Sequence, residues 1–103
     1  MSFQLIYATP TKEHLQAIDQ KYHKLIRKTI ESQLQFEPDK ETRNRKPLKR
    51  PVEFGARWEI RFGPENRFRV FYNVNADLNE VIVLAIGMKK GSRLFIGNEE
   101  IVI

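Results

Sequence analysis

Charged side chains at two-residue spacing, two of them arginines, are the groups in this sequence best suited to chemistry. Arg57, Glu59 and Arg61 alternate with apolar residues, so in a β-strand all three side chains would project from one face. Arg69 holds a similar position in the next apolar stretch. Several guanidinium groups near one face could hold phosphate oxygens and stabilise the charge of a phosphorane-like transition state. Glu59 could serve as a base beside them, or could simply pair with its arginine neighbours.

Residues 43–61 carry the whole positive excess of the chain. The net charge is +5, and this segment holds seven basic and two acidic residues while the segments on either side are neutral. Such a block favours an anionic partner such as nucleic acid, although a solvated loop would have the same composition. We expect the basic side chains at its start to bind nucleic acid: Arg43, Arg45, Lys46, Lys49 and Arg50.

Several classes of chemistry lack the residues that they require. The chain has no cysteine, which excludes disulfides, thiolate zinc sites and cysteine nucleophiles. It contains no HExxH, Walker or GxGxxG motif, so we expect neither a metal nor a cofactor. His14 and His23 lie away from the basic block and are expected to be ordinary surface or half-buried residues.

Length and hydropathy predict one cytoplasmic domain covering residues 1–103. A second hydrophobic core would need roughly 50 more residues. No apolar run approaches the ~18 residues of a membrane span. The N-terminal residues also lack the basic and apolar regions of a signal peptide.

The first half of the sequence predicts a strand followed by a helical pair. Residues 3–7 alternate in character, as a short strand does. Between residues 11 and 36 there is neither glycine nor proline, and apolar residues recur mostly every three or four positions, which is the stripe of an amphipathic helix. Asp19 is a favourable capping residue, so we expect a break there and a helical hairpin. Residues 39–51 are polar, basic and interrupted by proline, which is typical of a long loop.

The second half changes to a period of two, which predicts strands. Residues 57–62 and 68–74 each alternate between apolar and other side chains, whereas residues 80–86 are apolar on both faces and suit a central strand. Short connections favour an antiparallel meander. Residues 94–96 and 101–103 would add one more short strand or pack down. The fold class predicted is α+β, with an N-terminal strand, a helical hairpin and an antiparallel meander sheet.

This arrangement predicts where the cationic groups lie. The apolar sets of the two alternating strands should face the helices, which places Arg61 and Arg69 together on the outer face. Lys89, Lys90 and Arg93 follow the last long strand. If the three strands are neighbours, these side chains converge beside the basic loop, and we expect Lys90 and Arg93 to bind nucleic acid with it.

Four segments, in this order along the chain, resemble the RelE/ParE superfamily of toxins from bacterial toxin–antitoxin modules. They are ETRNRKPL at 41–48, WEIR at 58–61, FRVFYNV at 68–74 and VLAIGMKK at 83–90. The N-terminal strand and helical hairpin match as well, so nearly the whole chain is covered. The resemblance implies a fold of one strand, two helices and an antiparallel sheet, and a cognate antitoxin protein that covers the basic face.

The resemblance also implies roles for single residues. Arg61 and Arg69 correspond to sheet arginines that hold and activate the scissile phosphate, and Lys89 to a further basic catalytic residue. Two positions depart from the family pattern. Phe95 stands where many RelE-like nucleases have a tyrosine, and Glu59, the fourth candidate catalytic residue, stands where a lysine is usual.

Three functions follow from the resemblance. RelE-like members cut mRNA in the ribosomal A site by attack of the RNA 2′-OH on the adjacent phosphate, and we expect this translation-inhibiting endonuclease activity here. ParE-like members instead poison DNA gyrase without hydrolysing nucleic acid. The third alternative is a toxin-like binding domain without activity. The expected partners are the antitoxin and mRNA on the ribosome, or gyrase in the second case, with no membrane.

Overall fold

The elements follow the predicted order in the structure, a computed structural model that describes residues 2–50, 52 and 54–102. Strand β1 spans Gln4–Tyr7, helix α1 Thr11–Gln16 and helix α2 His23–Leu34. A turn of 3-10 helix at Gln20–Tyr22 precedes α2, and another at Pro64–Asn66 lies within the sheet half. The other strands are β2 (Arg45–Pro47), β3 (Trp58–Phe62), β4 (Phe68–Asn75), β5 (Glu80–Lys90), β6 (Arg93–Ile96) and β7 (Glu99–Ile101).

The strands of the described residues form one sheet in the order β2-β3-β4-β5-β6-β7. All these neighbours are antiparallel, which confirms the predicted meander and the α+β class. β1 instead runs parallel to β5, with Gln4 opposite Glu80 and Tyr7 opposite Val83. β1 and β6 pair with the same edge of β5. β1 pairs with residues 80–83 and β6 with residues 87–90.

The helices bury their apolar stripe against one face of the sheet. The predicted break is confirmed at Asp19, whose carboxylate accepts a hydrogen bond from the Lys21 N–H at 3.1 Å. Ile26, Ile30 and Leu34 recur every four residues along α2 and are at most 1% exposed, as the 3.6-residue period requires. No helix in the described ranges is long and apolar enough to cross a membrane. The fully buried members of this core on the sheet are Ile60, Phe68, Val70, Tyr72, Val81, Val83 and Ile86.

The opposite face of the sheet is only partly open, unlike the outer face expected from the sequence. Phe71 is completely buried there and packs with Val52 and Ala56, which belong to the segment between β2 and β3. Leu94 and Ile96 of β6 complete this second core. The segment folds over the sheet because Phe71 alternates with the core residues of β4 and would otherwise expose a large apolar ring to water.

The predicted loop 39–51 contains a strand, which corrects the sequence prediction. β2 pairs with β3 at the edge of the sheet, and the Leu48 N–H donates to the Arg57 carbonyl at 2.8 Å. Pro47 disfavours a strand in the middle of a sheet, but an edge position tolerates proline because one side of an edge strand needs no sheet hydrogen bonds. The last loop residue, Pro51, lies outside the described residues, as does Ile103 in the tail. The tail forms two strands rather than one, β6 and β7.

His14 fills the gap between β1 and β6 on the shared edge of β5. The Ile86 N–H lies in that gap and donates to Nδ1 of His14 at 3.2 Å. The second histidine also forms a hydrogen bond to the backbone, in which Nε2 of His23 donates to the Ile18 carbonyl at 2.8 Å. Because a backbone N–H can only donate, the contact to Ile86 requires His14 to be neutral. Burial lowers the pKa of His14 from its ordinary value, against an opposing effect of Glu13.

This contact predicts a pH dependence of stability. A histidine whose pKa is lowered on folding contributes stability that is complete above its unfolded pKa of about 6.5 and is lost as the pH falls through the folded pKa. We expect the melting temperature to fall between about pH 7.5 and pH 5 by more in the wild type than in His14→Gln, whose amide oxygen accepts the same hydrogen bond. Gln16→Ala, an exposed and non-titrating change on the same helix, is the control and should keep the wild-type slope. Equal slopes for wild type and His14→Gln would contradict the assignment.

Candidate nucleic-acid interface

Arg61 and Arg69 are direct cross-strand neighbours. They are register partners in the antiparallel pair of β3 and β4, and such partners carry their side chains on one face with Cβ atoms about 4.5–5.5 Å apart. Ile60 and Val70, which alternate with them, are buried on the helix side. The predicted placement of the two arginines side by side on the opposite face is therefore confirmed.

The turn between β3 and β4 brings one of its carbonyls to Arg69. Gly63 has φ of 81°, and a Cβ there would lie 2.4 Å from Cδ2 of Phe68, so a side chain is excluded by both conformation and space. Glu65 and Asn66 follow in the left-handed region, with φ of 55° and 52°. In this conformation the Asn66 carbonyl accepts a hydrogen bond from Nε of Arg69 at 3.2 Å.

Glu59 joins the two arginines. Its Oε1 accepts a hydrogen bond from Nε of Arg61 at 2.7 Å and lies 3.5 Å from Nη1 of Arg69. The Glu59 side chain is only 8% exposed, so the carboxylate is committed to the arginines and has little surface for a substrate. We call Glu59, Arg61 and Arg69 the arginine clamp. This geometry favours the interpretation that Glu59 pairs with the arginines and orients them over the interpretation that it acts as a base.

The two arginines of the clamp differ in exposure. The side chain of Arg61 is 43% exposed, whereas that of Arg69 is 12% exposed. Burial lowers the pKa of the Arg69 guanidinium, the carboxylate of Glu59 raises it, and the neighbouring charge of Arg61 lowers it. Glu59 is thus the group that lets two like charges lie side by side. Arg69 is the fixed member of the clamp and Arg61 the accessible one.

Lys89 lies on the same face as the clamp, as predicted. Gly87 is the register partner of Arg69 on β5, and side chains two residues apart on a strand share a face. A cleft of about 390 Å³ opens beside it and is lined by Glu65, Arg67, Arg69, Lys89 and Lys90 among others. We call this the Arg67 cleft. It adjoins the clamp because Arg69 belongs to both.

Lys90 and Arg93 do not converge with the clamp as expected from the sequence. Lys90 pairs in register with Arg93, and Met88 with Phe95, which puts all four side chains on the helix side of the sheet. The Lys90 ammonium and the Arg93 guanidinium lie 5.3 Å and 5.4 Å from the centre of the Phe95 ring. Arg93 also pairs with Glu100 of β7. Of these two basic residues, Lys90, at the end of β5, also lines the Arg67 cleft, whereas Arg93 does not.

The basic side chains of residues 43–50 take up two kinds of position. Arg45 is 7% exposed, and its Nη1 donates to the carbonyls of Gln33 and Phe36 at the end of α2. It therefore holds the helix end and presents no cation to a ligand, contrary to the expectation for it. Lys46 is exposed and is the register partner of Glu59. Arg43, Lys49 and Arg50 are exposed as well.

Arg67 is the cationic residue of this surface that the sequence prediction missed. Arg67 follows the turn between β3 and β4 and has helical backbone angles (φ −66°, ψ −36°). The alternation of side chains along β4 therefore does not predict on which face of the sheet Arg67 lies. Its carbonyl accepts a hydrogen bond from the Lys89 N–H at 2.7 Å, which anchors Arg67 next to β5. The spacing Arg67-Phe68-Arg69 was the available signal, because it places a second arginine within two residues of the predicted one.

The described residues contain no group of three or more histidine, cysteine or acidic side chains placed to hold a metal. The cationic groups of the clamp and the Arg67 cleft are instead suited to an anionic oxygen ligand. Planar guanidinium groups can bind two phosphate oxygens at once. A partly buried site also strengthens such contacts relative to bulk water.

Comparison with known proteins identifies a similar structure but no matching sequence. No protein-family model matches the chain, and no curated protein sequence matches it. Among solved structures, it is similar to a chain of the toxin–antitoxin complex RelBE2 from Mycobacterium tuberculosis, with a TM-score of 0.70 and 19% sequence identity. The match covers 86% of this chain and 93% of the other. The two chains share a fold.

The RelBE2 match confirms the fold that the sequence resemblance implies. At 19% identity, few side chains are common to the two proteins, yet the match spans nearly all of the RelBE2 chain. The strand, the helical pair and the meander are therefore arranged here as they are in RelBE2. The shared fold supplies the frame of the site, and the side chains of this chain must supply any activity.

Proposed function

We propose that this protein is the toxin of a toxin–antitoxin module and that it inhibits translation by cleaving mRNA on the ribosome. The observation that carries the proposal is the arginine clamp. Two guanidinium groups on neighbouring strands, oriented by one buried carboxylate, form a preorganised site for a phosphodiester. The fold shared with RelBE2 supports the same proposal, since that structure is a toxin–antitoxin complex.

The proposed reaction is transesterification within the RNA chain. The 2′-oxygen attacks the adjacent phosphorus, the bond from phosphorus to the 5′-oxygen breaks, and the products are a 2′,3′-cyclic phosphate and a 5′-hydroxyl. Negative charge accumulates on the phosphoryl oxygens in the transition state, and Arg61 and Arg69 stabilise it there. The proton of the 2′-hydroxyl passes to water, and the Lys89 ammonium gives a proton to the departing 5′-oxygen.

Glu59 is a positioning residue in this proposal. Its carboxylate oxygen is occupied by the two arginines, so it does not take the proton of the 2′-hydroxyl. Phe95 lies on the helix side of the sheet, away from the clamp, and takes no part. Catalysis therefore rests on holding the phosphate and stabilising charge, and the ribosome is the partner that presents the mRNA in a reactive conformation.

The proposed antitoxin partner follows from the charge of the site. The clamp, Lys46 and Lys89 together present four cationic groups and one anionic group on one side of the sheet. A segment that neutralises the protein must cover this surface, and carboxylate side chains would pair with the same groups that hold phosphate. We therefore expect an acidic antitoxin segment that competes with RNA for the clamp.

Induced expression in a bacterial host, followed by mapping of mRNA 5′ ends, tests the function. New 5′ ends inside coding regions should accumulate with the wild-type chain and be strongly reduced with Arg61→Ala. Arg27→Ala, which removes an exposed arginine on α2, is the matched control and should cut like the wild type. Growth arrest without new 5′ ends would contradict cleavage and favour a non-hydrolytic toxin. Normal growth would favour the inactive binding domain.

A further inference from the structure

We propose that the Arg67 cleft binds a second phosphate of the RNA chain, adjacent to the phosphate in the arginine clamp. The inference rests on the proposed function, because it names a further contact of the same substrate. It adds Arg67, which neither the alternation of the strands nor the family resemblance assigned. Arg67 is a binding residue in this proposal and does not touch the scissile phosphate.

The cleft and the clamp are contiguous. Arg69 is paired to Glu59 in the clamp and also lines the cleft. The Lys89 N–H donates to the Arg67 carbonyl at 2.7 Å, so these two residues are fixed next to each other on the far side of Arg69. Consecutive phosphates are the nearest anions to one another along an RNA strand. An RNA with one phosphate in the clamp therefore has its next phosphate within reach of the cleft.

The cleft carries cations without ion-pair partners. Within residues 2–50, 52 and 54–102, the side chains of Arg67 and Lys89 form no salt bridge, whereas the exposed pairs Arg93–Glu100 and Lys40–Glu37 do. Glu65 is the acidic side chain in the lining, and it is outnumbered by the basic ones. Like charges gathered in one concavity repel each other, and an anion in the cleft relieves that repulsion.

The shape of the cleft also fits this ligand. Its volume of about 390 Å³ leaves room for a phosphate group with part of its sugar. The left-handed residues Glu65 and Asn66 fold the turn back, and the Asn66 carbonyl is occupied by Nε of Arg69. The turn thus closes one side of the cleft, and the Asn66 carbonyl already accepts a hydrogen bond from Arg69. The rest of the lining carries four basic side chains that can donate, together with Met88 and Gly91.

The test compares two short RNAs by NMR titration of the folded protein. ApA has one phosphodiester and ApApA has two. Arg67→Ala should weaken binding of ApApA about tenfold more than binding of ApA, the loss expected for one hydrogen bond to a charged group. Arg61→Ala should weaken both compounds alike. Arg67→Lys should recover part of the loss, and Arg27→Ala should bind both compounds like the wild type.

Each other outcome separates this inference from the proposed function. Equal affinity of wild type and Arg67→Ala for ApApA would overturn the second phosphate site while leaving the clamp intact. An equal loss for ApA and ApApA would place Arg67 in the clamp and overturn the inference as well. A wild-type chain that binds neither compound would overturn the clamp as an RNA site and the cleft with it. Amide spectra of each variant verify that it is folded.

Discussion

Arg69→Ala is expected to abolish growth arrest and to lower the rate of mRNA cleavage by about 10²–10³-fold, the cost of removing one preorganised donor from a charged transition state. Arg69 is the fixed member of the clamp. Its Nε is held by the Asn66 carbonyl, one of its terminal nitrogens lies beside Glu59, and its side chain is 12% exposed. The groups that remain free are therefore already oriented when RNA arrives.

Arg69→Lys is expected to cause an intermediate loss. A lysine ammonium keeps the charge, but it cannot reach Asn66 and Glu59 and hold two phosphate oxygens together, as a planar guanidinium can. The alanine variant should remain folded, because Glu59 keeps its 2.7 Å hydrogen bond to Arg61 and is not left as an unpaired buried charge. Growth curves, cleavage mapping and a thermal melt measure these effects together.

Arg27→Ala controls for the loss of one positive charge and should arrest growth like the wild type. If the wild type arrests growth and both folded Arg69 variants arrest it equally well, the clamp is not the site of activity. If Arg69→Lys is as active as the wild type and only Arg69→Ala is inactive, charge alone suffices and the bidentate geometry is wrong.

Ile30→Ala is expected to lower the free energy of unfolding by about 2–5 kcal/mol, the range for removing a buried aliphatic side chain. Ile30 is 1% exposed and lies in the middle of the α2 stripe, in the core that the helices share with the sheet. Total stability of a domain is about 5–15 kcal/mol, so this one change removes a large share. The melting temperature should fall by at least about 8 °C.

Leu25→Ala is the matched control for Ile30→Ala, because Leu25 lies on the same helix and is 40% exposed. Its expected cost is below about 1 kcal/mol. Denaturant titration with both variants gives the comparison. Equal losses at the two positions would mean that the face of α2 has been assigned wrongly.

The fold and the arginine pair could be predicted from the sequence because the local patterns are unambiguous. The α2 stripe has a clear helical period, and Trp58–Phe62 and the start of β4 alternate cleanly between apolar and charged residues. Once the hairpin is assumed, Arg61 and Arg69 must share a face. The edge strand β2 escaped prediction because Pro47 and a run of basic residues are typical of loops, while its position at the sheet edge depends on tertiary pairing.

The sequence placed Lys89 and Lys90 together, and it could not show that Lys90 lies on the opposite face, for a specific reason. The register between β4 and β5 shifts at Phe71 and Tyr72, so that Leu84 is skipped. This bulge exchanges the two faces for the rest of β5. Since residues 80–86 are apolar on both sides, their sequence carries no sign of the exchange. The burial of Arg45 could not be predicted from the sequence either, because the carbonyls that accept its hydrogen bonds belong to the end of α2.

The parallel pairing of β1 with β5 also sets the order in which the protein can be completed during synthesis. Gln4 pairs with Glu80, so β1 has no partner until 76 more residues have been made. At roughly 5–20 residues per second, that delay is about 4–15 s. Pairing across such a separation is also intrinsically slow. The strand β5 that completes this pair also supplies the support for Arg69. Under the proposed function, the clamp of a nascent copy therefore lacks this support until β5 has been made, which leaves time for the proposed antitoxin to meet the chain.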